Sequence, residues 1–378
     1  MASNSLLYIP ALRLKKGELA GLRDLAPDIA THIVPRMIVP PPMERDPSQG
    51  DLFTKGSFPD ISSTLASHWA NKEVLIETTH ILDEFGRDQI GLWLPKMFER
   101  ARDASVQAIP LVSLSDFLNG NVDAYSASAN HSSQLKIGII ASSADLADND
   151  SLKRAVDLLQ KKNIQPDQSL IIADFHDADF SQVDLVAPII SAVLESLQML
   201  APWKKIAFQG TNYPEKNPAE PGSYYVVPRN EWLAWQKAVN FDPLTAEHMI
   251  FGDYAADCSN LNFGTNKAIA IRHYRYTTGD SWLVQRGLDT GPHKTNMESV
   301  CSEILASGLF SGRSFSSADN YIYLTAKGLA GPGNATDWRA INTTHHITRV
   351  VNDIGKIKHI SFKRKALTPL AEQMILPI

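Results

Sequence analysis

MIFGDYA, residues 249–255, is the last of eight short apolar runs in this chain, and their number decides the fold. The runs alternate with segments whose apolar side chains recur every three or four residues, as in amphipathic helices. Eight strands alternating with helices are what a closed (β/α)8 barrel requires, so residues 1–258 are predicted to form a TIM-like barrel. An open, doubly wound sheet is the alternative, because it shows the same alternation of strands and helices along the sequence. The seven earlier runs are YIPALRL (8–14), IVPRMIVP (33–40), EVLIETTHIL (73–82), AIPLVSLS (108–115), KIGIIASS (136–143), SLIIADF (169–175) and KKIAFQG (204–210).

The residues after the eighth run break this pattern. Residues 259–378 are predicted to form a C-terminal extension packed on the barrel. Two strand-like arms within residues 267–287 flank Thr278-Gly279-Asp280, and a turn of this composition favours a β-hairpin. Helices are predicted near 295–306 and 336–354, and one of them should supply the eighth helix of the barrel.

The segment 116–134 interrupts the alternation earlier in the chain. It is rich in Asn, Ser and Ala and is predicted to be a surface loop.

The composition argues against several classes of protein. The chain has 378 residues, a net charge of -5 and two cysteines, Cys258 and Cys301. General affinity for nucleic acids or anionic membranes needs a basic surface, which this balance does not favour. The cysteines show neither zinc-ligand spacing nor a disulfide framework, and no signal peptide or long apolar run is evident. We therefore expect a soluble cytoplasmic protein that does not bind membranes.

Three acidic residues lie where apolar runs end. They are Glu77, Asp174 and Asp253. Active sites of (β/α)8 barrels lie at the C-terminal ends of the strands, so these carboxylates are candidates for catalysis. Carboxylates that converge in a partly desolvated pocket have raised pKa values and can share a proton or a cation. Alternatively, they only cap the helices that follow, since polar residues end the strands of any barrel.

The stretch IIADFHDADF at 171–180 packs three carboxylates and an imidazole into six residues, which suggests a metal site. Its second half fits a loop better, because Asp179 or Ser181 is a natural N-cap for the next helix. A second histidine would have to come from His345 or His346. Adjacent helical residues point about 100° apart, so both cannot bind one ion. No metal ligand is therefore assigned.

The predicted hairpin carries a second candidate set. Arg275 lies on one arm, and Trp282 and Arg286 lie across the turn. Arginine binds phosphate through two parallel hydrogen bonds and aromatic rings stack on bases, so a nucleotide or phosphoester ligand is compatible with these residues. Cross-strand pairs of this kind also stabilise any exposed sheet. The sequence contains no glycine-rich phosphate loop, nucleophile elbow, HExxH or kinase signature, so no familiar enzyme class is indicated.

Motifs in order along nearly the whole chain resemble the beta protein family of satellite phages and bacterial genomes. They are YIPALRLKKGELAGLRDL (8–25), VPRMIVPP (34–41), FGDY (251–254), RYTTGDSWLVQRG (275–287), FSGRSFSSADNYI (310–322) and WRAINTTHHITRV (338–350). The residues in these motifs that could bind a ligand are Lys16, Glu18, Tyr254, Arg275, Trp282, Arg286, His345 and His346, and Asp253 is shared with the acidic set.

The resemblance implies a setting rather than a reaction. Such proteins are encoded in phage, satellite or genomic-island loci that carry antiphage defence modules, beside a companion gene whose product can be toxic. The first hypothesis is therefore a defence component whose barrel mouth recognises or controls the neighbouring gene's product or a phage-derived ligand. The alternative is a barrel enzyme, possibly metal-dependent, that hydrolyses a phosphoester in a nucleotide or nucleic acid, so enzymatic activity stays open.

Overall fold

Eight parallel strands close on themselves in this protein, which confirms the predicted (β/α)8 architecture. The computed structural model describes residues 6–45, 58–240, 249–260 and 271–362. The barrel strands are β1 (Tyr8–Arg13), β2 (Arg36–Ile38), β3 (Glu73–Glu77), β4 (Gln107–Ser113), β5 (Ile137–Ser142), β6 (Ser169–Asp174), β7 (Lys205–Gln209) and β9 (Met249–Asp253). Strand β9 pairs with both β7 and β1, and these two ladders close the barrel.

Alternate side chains of the barrel strands point into the barrel and form an apolar core. This core contains Ile9, Val34, Leu75, Ile109, Leu111, Ile140, Leu170, Ile172, Ala207 and Ile250. Three charged residues occupy the next inward positions toward the mouth. They are Arg36, Glu77 and Asp174, which lie two residues beyond Val34, Leu75 and Ile172, respectively. Because side chains alternate along a strand, these three charged side chains point inward at the C-terminal mouth of the barrel.

Helices surround the barrel and form part of the C-terminal extension. They are α1 (Lys16–Arg23), α2 (Pro27–Ala30), α3 (Ser62–Trp69), α4 (Leu82–Phe85), α5 (Ile90–Asp103), α6 (Leu114–Asp116), α7 (Val122–Ala127), α8 (Ser143–Leu146), α9 (Asn149–Lys161), α10 (Val183–Leu200), α11 (Asn230–Val239), α12 (His293–Ala306), α13 (Ser317–Ala326) and α14 (Ala335–Ile357). Helix α14 packs on α1 and also contacts β1, so it takes the place of the eighth barrel helix.

A separate three-stranded antiparallel sheet contains the hairpin. Its strands are β8 (Tyr224–Pro228), β10 (His273–Thr277) and β11 (Ser281–Arg286), in the order β10, β11, β8. The hairpin turn falls at 278–280, as predicted, while residues 267–270 of the predicted arm lie outside the described residues. Strand β8 was not predicted, because it lies within the connection between β7 and α11. The sheet thus joins an insertion in the barrel to the C-terminal extension.

Two segments differ from the sequence prediction. Residues 116–134 were predicted to be a loop, but they contain α7 and a π-helical turn before it. Their apolar side chains Phe117, Val122 and Tyr125 are buried in the main core, which explains the order of this segment. Helix α13 was not predicted. Its N-cap residue, Ser316, accepts a hydrogen bond from the Asp319 N–H.

Helix α10 is long and apolar enough to span a membrane by length and composition, and among the described helices it alone meets both criteria. Its 18 residues have a mean hydropathy of 1.6. Here it packs outside the barrel on β7 and α11, with Ile190, Leu194 and Leu197 buried.

Candidate functional site at the barrel mouth

A buried arginine crosses the mouth of the barrel and holds two of the predicted acids. Arg36 donates from Nε to Glu77 Oε2 at 2.8 Å and from Nη1 to Asp174 Oδ2 at 2.9 Å. All three side chains are at least nine-tenths buried. Glu77 and Asp174 therefore meet at the mouth, as predicted, but a guanidinium lies between them.

Tyr254 completes this group from the end of β9. It follows the inward-facing Ile250 and Gly252, and its hydroxyl donates to the two Asp174 oxygens at 3.1 and 3.2 Å. Only glycine fits at position 252, because a Cβ there would lie 2.8 Å from the Phe208 carbonyl oxygen and 2.9 Å from that of Ile9. Burial and the nearby Asp174 carboxylate raise the pKa of Tyr254 well above its ordinary value. The phenol is thus a donor and not a base.

His176 extends the group toward solvent. Its Nδ1 lies 3.7 Å from Asp174 Oδ1, and 46% of its side chain is exposed. Contact with Asp174 raises the pKa of His176. Burial would raise the pKa of Asp174, but Arg36 and His176 hold it below its usual value. Asp174 is therefore ionised, and the accessible group above it is an imidazole with increased affinity for a proton.

A second ionic cluster lies beside the first and joins the barrel to the extension. Asp257 Oδ1 accepts from Arg275 and Oδ2 from Arg339, both at 2.6 Å. Arg13, from the end of β1, lies 3.8 Å from Oδ2. Burial would raise the pKa of Asp257, but Arg339, Arg275 and Arg13 hold it far below its usual range. One carboxylate thus faces three guanidinium groups.

The turn that places Asp257 is strained. Ala255 and Ala256 have φ angles of 49° and 61°, in the left-handed region that alanine rarely adopts. The Ala255 N–H donates to Asp253 Oδ1 at 2.8 Å, which helps to hold this conformation. Backbone strain of this kind occurs preferentially at functional sites, where surrounding contacts hold it in place.

A small cavity lies between the two clusters. It is lined by Arg13, Glu18, Ile38, Tyr254, Asp257, Cys258 and Arg339, among others.

The third predicted acid does not reach the mouth. Asp253 points outward from β9, where the Tyr8 hydroxyl donates to Oδ1 and the His346 ring lies 2.8 Å from Oδ2. Burial would raise the pKa of Asp253, but His346 and Arg229 lower it. Burial lowers the pKa of His346. These directions leave an ionised aspartate that accepts from a neutral imidazole. The predicted constellation of three acids at one mouth is therefore reduced to Glu77 and Asp174.

Comparison with models of known protein families gives a match that spans nearly the whole chain. The sequence model of the Beta protein family matches residues 8–352. The chain belongs to the Beta protein family. No curated protein matches the chain. The family match runs from β1 into α14, so the barrel and the extension described here are both family features.

Two of the predicted ligand-binding residues of this Beta family protein are buried histidines in α14. His346 Nδ1 lies 2.9 Å from the Thr277 hydroxyl, which completes its contacts. His345 Nδ1 lies 3.0 Å from Asp319 Oδ2, and its Nε2 lies 2.8 Å from the Thr277 carbonyl oxygen. Both partners of His345 are oxygen atoms that accept hydrogen bonds. Both histidines join α14 to β10, and neither is exposed to a ligand.

The other predicted residues divide between the mouth and the sheet. Arg275 binds Asp257, and the carboxylate of Glu18 lies 3.8 Å from Arg339. Lys16 is exposed at the start of α1. Trp282 is fully buried and packs edge to face on Tyr213. Arg286 lies further along the sheet, where it donates to the Ala219 carbonyl oxygen at 2.9 Å.

Sequence reasoning missed Arg36, Arg13 and Asp257 and undervalued His176. Alternation along VPRMIV could have placed Arg36 inside the barrel, since Val34 and Ile38 flank it at two-residue spacing.

The described residues contain no group of three His, Cys, Asp or Glu side chains placed to hold a metal ion.

A buried arginine and a buried glutamate lie beneath the small sheet. Arg229 and Glu231 are both fully buried, with Arg229 Nε 3.9 Å from Glu231 Oε1. Glu231 Oε2 accepts the Asn212 N–H at 3.1 Å, while Oε1 has no hydrogen-bond partner. Burial raises the pKa of Glu231 to about 8. Glu231 therefore keeps its proton in the folded protein at pH values where the unfolded chain releases it.

Replacing Glu231 by glutamine is expected to stabilise the protein more at pH 8.5 than at pH 5.5. The folded pKa of about 8 exceeds the ordinary value of 4.5, so the wild type loses stability as pH rises between these values, and the glutamine variant does not. The difference between the two pH values should be about 3 kcal/mol in the free energy of unfolding. Urea unfolding at both pH values measures it.

The exposed Glu195 on α10 provides the matched control. E195Q should change stability equally at the two pH values. If E231Q behaves like E195Q, the raised pKa of Glu231 is wrong.

Proposed function

We propose that this Beta family protein is the recognition component of an antiphage defence locus and acts in the cytoplasm. In this proposal the barrel mouth binds a phosphate-bearing ligand that arises during phage infection. Binding then controls the protein encoded by the neighbouring gene. The family membership motivates the defence setting, and the mouth motivates the ligand.

One observation favours ligand binding over catalysis as the function of the mouth. Glu77 and Asp174, the acids placed to act as a base or a metal ligand, are both held by Arg36. A carboxylate paired with a buried guanidinium is a poor base, because the pair favours the ionised form. The accessible groups at the mouth include two that are cationic in character, Arg13, which is 18% exposed, and His176.

Arg13 is the residue best placed to bind such a ligand. It lies at the end of β1 and approaches Asp257 only to 3.8 Å, whereas Arg275 and Arg339 bind the same carboxylate at 2.6 Å. Its guanidinium can therefore turn to a phosphate while Asp257 stays paired. Planar guanidinium groups bind phosphate oxygens through two parallel hydrogen bonds.

Thermal unfolding with a panel of nucleoside phosphates and cyclic nucleotides tests this proposal. At least one compound should raise the melting temperature of the wild type, and Arg13→Gln should abolish that rise. Arg23→Gln is the matched control, because Arg23 lies on α1, is 55% exposed and pairs with its neighbour Asp24. Equal shifts in the R13Q and R23Q variants would place the ligand elsewhere, and no shift with any compound would contradict the proposal.

A second candidate is a metal-independent phosphoesterase, and the contact between His176 and Asp174 favours it. An imidazole held by a buried carboxylate is a general acid and base in many hydrolases. If the protein turns its ligand over, His176→Asn should retain the thermal shift and lose product formation, with or without a chelator. Product formed equally by the H176N variant would remove His176 from the reaction.

A further inference from the structure

Strand β8 is an unprotected edge of the small sheet. In the described residues β8 pairs with β11 on one side and with no strand on the other. Tyr224, Tyr225 and Val226 are 65%, 52% and 43% exposed. Natural edges are usually protected by lysine, proline, bulges or covering elements. Here YYVVP carries no charge, and its proline comes only at the end of the strand.

The free edge presents backbone groups in a defined pattern. The Arg286 N–H donates to the Ser223 carbonyl oxygen at 3.0 Å. This bond shows which residues of β8 form hydrogen bonds with β11, because in an antiparallel ladder every second residue of a strand does so. The backbone groups of Tyr225 and Val227 therefore face β11, whereas those of Tyr224 and Val226 face away. Two N–H and two C=O groups are thus in place for an added strand. Pro228 ends this array, and its carbonyl oxygen accepts the Asn212 amide.

A groove lies between helix α12 and the end of the small sheet where β8 begins and β11 ends. Its volume is about 550 Å³. Tyr224 and Gln285, which are cross-strand neighbours, line the sheet side. Thr295, Ser299 and Glu303 line the helix side at four-residue spacing, so they form one face of α12.

A polar side chain lies in the groove beside β8. Gln285 is 7% exposed and lines the groove next to Tyr224. An open strand edge beside a helix is the arrangement that takes up an extended peptide.

The charge of the groove indicates what the peptide carries. Arg286 is balanced by Asp289, whose carboxylate oxygens lie 3.0 and 3.1 Å away. Glu303 is exposed and has no ion pair within the described residues, so the unbalanced charge is negative. A second copy of this chain would offer its own β8, which contains no cation. A segment with a basic side chain complements the groove better.

We propose that β8 and α12 form a docking groove for an extended segment of a partner protein. The segment adds a fourth strand to the sheet through the outward-facing backbone of Tyr224 and Val226, and it directs a lysine or arginine toward Glu303. The inference deepens the proposed function, which calls for a partner protein. It stands on a surface separate from Arg13, so the two proposals can fail independently.

Peptides selected on the wild-type protein from a displayed random-peptide library provide the probe, and fluorescence anisotropy gives their affinities. Val226→Pro removes an N–H that the fold does not use, and edge strands tolerate proline at such positions. It should weaken binding about tenfold or more, while Val226→Thr, which keeps the N–H, should not. Glu303→Lys should weaken the basic peptides to a similar extent, and R13Q should leave them bound.

Two results would overturn the inference. The first is that the selected peptides bind the V226P and E303K variants as tightly as the wild type. The second is that light scattering shows self-association of the wild type that V226P abolishes, which would make a second copy the occupant. Should V226P fail to fold, judged by circular dichroism, E303K and Gln285→Leu still decide the question.

Discussion

Replacing Arg36 by methionine is expected to lower the free energy of unfolding by about 3–5 kcal/mol. The substitution leaves Glu77 and Asp174 buried at the mouth with no guanidinium between them. Removing one partner of a buried ion pair is costly because the remaining charge can neither reach water nor find a new partner. Urea unfolding at neutral pH measures the loss.

Neutralising the two acids should reverse much of this effect. The triple variant R36M/E77Q/D174N has no charge left at the mouth, and neutral replacements of a buried ionic group are often tolerated. Arg87→Met is the matched control, because Arg87 is 48% exposed, and exposed pairs contribute less than about 1 kcal/mol. An R36M variant no less stable than R87M would show that Arg36 does not hold the mouth together.

Asp257→Asn is expected to cost about 3–5 kcal/mol of stability at neutral pH. It removes the carboxylate that joins Arg13 of the barrel to Arg275 and Arg339 of the extension. Because the pKa of Asp257 is held far below its usual range, wild-type stability from this residue is present above the ordinary carboxyl pKa and falls as the carboxyl is protonated in acid. The D257N variant should therefore lose less relative to the wild type at low pH.

Sulfate should restore part of the stability of the D257N variant. Three guanidinium groups without their carboxylate form a site for a tetrahedral anion. The increase in melting temperature with sulfate should exceed that with chloride at equal ionic strength, and the wild type should show a smaller difference. An equal response to both salts would indicate that the three arginines do not converge as described.

The sequence predicted the barrel because its eight apolar runs correspond to the eight barrel strands of the structure. It placed Asp253 at the mouth because the apolar residues that precede it in MIFGDYA do not alternate with polar ones, so the sequence does not show which side chains point inward. In the structure Ile250 and Gly252 point inward, which sends Tyr254 to the mouth and Asp253 to the helices.

Asp257 could not have been found in the same way. Its position depends on two alanines in the left-handed conformation, which the residue type alanine does not predict. Its partners are Arg13, Arg275 and Arg339, which lie far apart along the chain. His345 and His346 were recognised as a pair, but their burial depends on packing between α14 and β10 that only the tertiary structure determines.

A phosphorus NMR spectrum of the protein mixed with an equimolar amount of a stabilising ligand tests the central claim most directly, because it reports binding and turnover together. We predict a shifted or broadened ligand resonance with the wild type and the R23Q variant, a return to the free spectrum with R13Q, and no new resonance with time. An unperturbed spectrum with the wild type, or a product resonance that grows, would contradict a mouth that recognises its ligand without reacting with it.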